Sequence, residues 1–169
     1  DGVVARWSFG QTDGTALFQH ASPFFAVTVW DDLVPGGNHT GELFVKTPDT
    51  HTVYTPHQAP LFALFVDGQN RLWSGDGAGM VGMWSREGQT LRLEQQWHTN
   101  LGKIRHLSPH PEGLLIAGGS GQWRVLGEGG TLQPEVQAHA RSCYWALHLD
   151  AKKVVLSGGQ DGQLHVQRQ

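Results

Sequence analysis

A glycine-centred turn returns along this chain at nearly constant spacing, and that periodicity constrains the fold more than any other feature. It stands at Asp1-Gly2, Thr40-Gly41, Ala78-Gly79, Ser120-Gly121 and Asp161-Gly162, at intervals of 39, 38, 42 and 41 residues. Each turn leads into a short, largely apolar stretch: VVARW, ELFVK, MVGMW, QWRVL and QLHVQ. A second marker keeps step with the first. His20, His57, His98 and His139 each precede a new apolar run, at intervals of 37, 41 and 41. Two markers sharing a period of about 40 residues identify a repeated supersecondary unit.

Residues 61–98 hold the unit most completely. Apolar runs at 61–66, 71–74, 80–84 and 91–97 are separated by Gly, Asp, Asn and Ser turns. Gaps this short between the first three runs predict antiparallel hairpins. One four-stranded meander cannot bury both of its faces, so it requires copies of itself on either side. The period and strand count predict an all-β fold, a β-propeller of four-stranded antiparallel blades. The chain then reads as a partial blade at 1–20 (third and outer strands), whole blades at 21–57, 58–98 and 99–139, and a partial blade at 140–169 lacking its outer strand. Strands are expected at 24–29, 32–35, 42–46 and 52–55, then at 103–107, 114–118, 122–126 and 132–136, and finally at 144–149, 154–157 and 163–166. Such a pattern reads as a fragment of a longer ring. Two chains sharing an eight-bladed ring is the second reading, and closure as four blades leaves one third strand redundant.

Composition narrows the functional classes. With 23 Gly among 169 residues, tight turns are abundant. No apolar run approaches the roughly 18 residues of a membrane span, and no signal-peptide pattern opens the sequence. The lone Cys143 rules out an internal disulfide, which fits a cytoplasmic location. Formal charge is -3, and Lys152-Lys153 is the only basic doublet, so nothing predicts nucleic-acid binding. The ten histidines show no metal-ligand spacing, so no metal or cofactor is expected. Asp31 and Asp32 read as turn residues between the first two strands of their blade. Glu94, His106, His110 and Cys143 form no nucleophile–base pattern. The glycines of SGDGAG and AGGSG lack the helix and Lys of a phosphate loop.

At the residue level the chain resembles the WD-repeat family of β-propellers, and looks like the cytosolic members found in bacteria. The resemblance rests on the His before each inner strand, the links SGDGAG, AGGSG and SGGQDG, and Trp7 and Trp84 closing the third strand. Asp1 and Asp161 match the family's turn acid, whereas Thr40, Ala78 and Ser120 replace it. Lys46, Leu126 and Gln167 stand at the other Trp positions. The family's buried His–Ser/Thr–Trp–Asp network is therefore expected to be complete in no blade.

The resemblance implies a non-catalytic scaffold for a protein or peptide partner, with homo-oligomerisation through the incomplete blades. The alternative is a propeller-type hydrolase or quinone-dependent oxidoreductase with its site at the channel mouth. Aligning the inner strands puts Phe24, Leu61, Ile104 and Tyr144 at a buried opening position. The residues after them, Phe25, Phe62, Arg105 and Trp145, are the candidate binding residues. In the resembling family that second position faces the binding surface, and three aromatics with an Arg suit a protein-binding hot spot.

Overall fold

The computed structural model describes residues 2–168, so the marker Asp1 lies outside the described residues. Among the described residues, seventeen strands form five antiparallel sheets. A two-stranded sheet comes first, β1 (Val3–Arg6) with β2 (Thr15–Gln19). The second sheet runs β3 (Phe24–Val27), β4 (Val34–Asn38), β5 (Leu43–Lys46), β6 (His51–Tyr54). The third is β7 (Leu61–Val66), β8 (Leu72–Asp76), β9 (Met80–Glu87), β10 (Thr90–His98). The fourth is β11 (Ile104–His110), β12 (Gly113–Gly118), β13 (Gln122–Gly127), β14 (Val136–Gln137). Three strands complete the array: β15 (Cys143–Leu149), β16 (Val154–Gly159) and β17 (Leu164–Arg168). Within every sheet the strands are hydrogen-bonded in chain order, the meander of a propeller blade.

Fourth strands vary most. β14 is reduced to two residues, with Leu132 bridging back to Leu126 ahead of it, so the run expected at 132–136 is a strand only at its end. Pro134 lacks the amide a continuous ladder needs.

The core lies between blades. Leu43, Val45 and Trp30 of the second sheet pack with Leu61, Leu72 and Trp84 of the third. Ala63, Trp73 and Val81 meet Ile104, Leu107 and Ile116 at the next junction. Leu115, Ala117, Trp123 and Val125 meet Cys143, Ala146 and Val155 at the last. Alternation along each strand supplies one row of side chains to each neighbour. The first sheet joins through rings, with Phe18 stacked on Phe24 at 5.6 Å and edge-on to Phe44 at 5.8 Å.

The buried network is complete in one blade, contrary to the sequence expectation. In the third sheet the Trp84 indole N–H donates to Ser74 Oγ (2.9 Å), Ser74 Oγ bonds His57 Nε2 (2.8 Å), and His57 Nδ1 bonds Asp76 Oδ2 (2.9 Å). Asp76 stands two residues before Ala78, where the acid was sought. In the last blade the acid is Asp161, two places further along the same link, so the histidine is reached from either place. Asp76 Oδ1 also accepts the amides of Ala78 and Met80. The last sheet holds three of the four groups: Asp161 bonds His139 Nδ1 (3.0 Å), whose Nε2 bonds Ser157 (3.0 Å). Gln167 pairs with Val155 just as Trp84 pairs with Leu72, and supplies no indole. In the second sheet Asn38 replaces the acid and accepts the amides of Thr40 and Glu42. Trp7, just past the end of β1, is exposed and joins no such network among the described residues.

His98 departs from the repeat. The His20, His57 and His139 slots follow their outer strands, whereas His98 is the exposed last residue of β10. The equivalent slot belongs to buried Thr99, whose N–H bonds the Gly79 carbonyl as those of His20 and His139 bond the carbonyls of Gly2 and Gly121. A bulge between Leu93 and Gln95 lengthens β10 by one residue and moves the slot.

Candidate functional site

Every inner strand of the last four sheets carries a β-bulge at its start. The register shifts fall between Phe24 and Ala26, Leu61 and Ala63, Ile104 and His106, and Cys143 and Trp145. The residues left unpaired are Phe25, Phe62, Arg105 and Tyr144. A bulge re-aims the side chain it carries, and four in register aim four side chains at the same rim of the array.

The row is partly stitched together. Phe25 and Phe62 stack with ring centroids 4.9 Å apart and planes 12° apart. His39 meets the edge of Phe25 at 5.7 Å. Lys103 Nζ lies 4.2 Å from the centre of Phe62, and the Arg105 guanidinium 5.2 Å from that of Tyr144. Phe25 and Tyr144 are exposed at 44% and 43%, while Phe62 and Arg105 are half-buried.

Trp145 is not part of this row. The alignment from sequence put Tyr144 at the buried opening position, but Cys143 fills it with no exposure, and the last strand is offset by one residue. Trp145 pairs with Gly158 and lies against it, on the outward face of the last sheet. Leu147, Leu164 and Val166 are exposed near it. Tyr144, Lys103 and Arg141 were missed from sequence; the first was displaced by the register error, and the two cations sit in the loops leading into inner strands.

The buried chains Asp76–His57–Ser74 and Asp161–His139–Ser157 place acid, base and hydroxyl in the order of a nucleophilic triad. Their surroundings oppose that use. Ser74 is fully buried, its oxygen held by His57 and Trp84, and Ser157 is 1% exposed. Burial pushes the Asp76 carboxyl upward, but hydrogen bonds from His57 and from the Met80 and Ala78 amides outweigh it and hold it below the usual carboxylate range. Asp161 is lowered too: desolvation is outweighed by the Gln163 and Ala140 amides and His139. Burial pushes the Cys143 thiol up to about 12, so the thiolate needed for chemistry is suppressed. Burial lowers His106, which bonds the Ala146 carbonyl across the blade junction. Asp31 and Asp32 lie at the opposite rim, both paired to Arg86. His139, Asp161 and His165 bring one potential ligand atom each within 4.8 Å of one another, but both His139 nitrogens are already hydrogen-bonded.

Comparison with solved structures agrees with the blade geometry. The computationally designed Ika4 protein superposes with a TM-score of 0.74 at 20% identity, covering 90% of this chain and 94% of that one. A chain in the Mitotic Checkpoint Complex gives 0.84 at 14% identity, over 98% of this chain and 54% of its own length. The WD40 β-propeller domain of Doa1 gives 0.74 at 18% identity, over 90% and 53%. The chain thus spans about half the length of these two natural structures. No family model and no curated protein sequence matches. The fold is that of a β-propeller of four-stranded antiparallel blades. Among the described residues no helix is long and apolar enough to cross a membrane.

Proposed function

We propose that this chain is a non-catalytic scaffold of the WD-repeat type that binds a protein or peptide across the bulge row of Phe25, Phe62, Arg105 and Tyr144. The observation that carries the reading is the repeated bulge, which brings aromatic and cationic side chains to one rim. Aromatic rings and Arg contribute disproportionately to protein interfaces. The non-catalytic half of the proposal is supported by the burial of both Asp–His–Ser chains. The test selects binders from a random displayed peptide library and measures their affinity for Phe25→Ser. Selected peptides should weaken at least about tenfold, or 1.4 kcal/mol, with an unchanged urea midpoint. Unchanged affinity would place recognition elsewhere.

We also propose that the array completes a ring, either as part of a longer chain or by oligomerising. The support is the outward face of the last sheet, where Trp145, Leu147, Leu164 and Val166 are exposed together. Light scattering after size exclusion separates the two: twice 18.5 kDa favours shared closure, and a stable monomer favours a piece of a larger ring.

A further inference from the structure

We infer that the partner of the bulge row is an acidic peptide segment carrying an aromatic or apolar side chain; this rests on the binding role proposed above. What points to it is the state of the charged groups at the rim that carries the row. At the rim opposite the row, three arginines are matched by acids: Arg71 pairs with Asp67, Arg86 with Asp31 and Asp32, and Arg92 with Glu87 and Glu94.

The rim that carries the row leaves its cations unmatched. Its acids are committed inward: Asp76 to His57, Asp161 to His139, and Glu42 to Asn38 and Thr40. Its cations Lys103, Arg105 and Arg141 have no carboxylate partner among the described residues. Lys103 rests on Phe62 and Arg105 on Tyr144, contacts that leave both charges available to an incoming anion. Arg105 Nε is also buried with no hydrogen-bond partner, a donor whose desolvation is uncompensated in the free protein. The other Lys and Arg side chains without an ion pair among the described residues lie away from the row: Lys46 at the end of β5, where it bonds the Thr50 carbonyl, and Arg6, Lys152, Lys153 and Arg168 in the first and last sheets.

The arrangement favours a peptide over a nucleic acid. Three cations are few for tracking a phosphate backbone, where affinity grows with the number of phosphates neutralised. A carboxylate placed between Lys103 and Arg105 would have Phe62 on one side and Tyr144 on the other. The Phe25–Phe62 stack then offers an adjoining surface for an apolar side chain. Charge complementarity of this kind chooses partners and speeds their encounter.

The experiment sequences peptides selected from a random displayed library by the whole chain and by two variants, Lys103→Glu/Arg105→Glu and the solvent-facing pair Lys103→Glu/Arg141→Glu. Wild-type selections should be enriched in Asp and Glu beside an aromatic residue, and should weaken several-fold as salt is raised from low to physiological strength. Both variants should bind those peptides at least about tenfold more weakly and should select Lys- and Arg-containing peptides instead. Uncharged or basic selections from the wild type that still require Phe25 would overturn the acidic partner and leave the binding face standing. Selections indifferent to Phe25 would overturn both. Competition by a single-stranded oligouridylate at physiological salt would transfer the site to nucleic acid.

Discussion

Ser74→Ala is expected to lower the stability of the chain by about 3 kcal/mol, because it leaves two buried groups without partners at once. Ser74 Oγ accepts the Trp84 indole N–H and bonds His57 Nε2, and all three side chains are sealed from water. An alanine keeps the fit but removes the only hydrogen-bonding atom between them. The control lies within the same molecule. Ser157 holds the equivalent place in the last sheet but bonds only His139, since Gln167 stands at the indole position. Ser157→Ala should therefore cost about half as much, roughly 1–2 kcal/mol for one unmet group. Urea unfolding of the two variants, read from midpoints at constant slope, checks the difference. Equal losses would mean that the indole bond contributes nothing and that Trp84 acts through packing alone.

The repeat was legible because it is written twice, in turns and in histidines, and hairpin chemistry is local. The strand at Leu61–Val66 falls where its apolar run predicts. What failed were one-residue matters. The bulge near Glu94 shifted the slot from His98 to Thr99, and no composition signal marks such an insertion. The last inner strand opens on Cys143, a small residue that an alignment weighted on large apolar side chains passes over in favour of Tyr144. The acid of the third blade was missed because it was sought at Ala78, whereas Asp76, at the end of β8, is the residue that reaches His57. The aim of Phe25, Phe62 and Arg105 away from the core followed from alternation. Their bulges, and the stacking of Phe25 on Phe62, depend on contacts between blades that a single sequence does not display. Lys103 and Arg141 looked like dispersed charge until the acids of the same rim were seen to be occupied.

Blade junctions are matched in volume, and breaking the match should have the larger effect. The second strand of each blade presents a small residue to the opening residue of the next inner strand. Gly37 faces Leu61 and Gly75 faces Ile104; a methyl on Gly75 would sit 2.4 Å from Ile104 Cγ2, and one on Gly37 2.7 Å from Leu61 Cβ. At the last junction the small residue has become Ala117, and the residue in the opening position has shrunk to Cys143; both belong to one buried cluster. Gly75→Ala is therefore expected to destabilise by about 3 kcal/mol or more, at the upper end of the usual cost of overpacking, because two rigid sheets must separate to admit the methyl. Copying the natural pairing offers the rescue: Gly75→Ala/Ile104→Cys should recover at least half of the loss. The single Ile104→Cys should by itself be destabilising, since it removes packing from a fully buried site. A double-mutant cycle on urea midpoints gives the coupling directly, and a favourable interaction above about 1 kcal/mol is expected for residues in contact. Additive losses would refute volume matching and leave the Ala117–Cys143 pair a coincidence of two small residues. A favourable coupling would identify this junction position as one at which a blade selects its neighbour, through a size rule that a propeller can repeat around its ring.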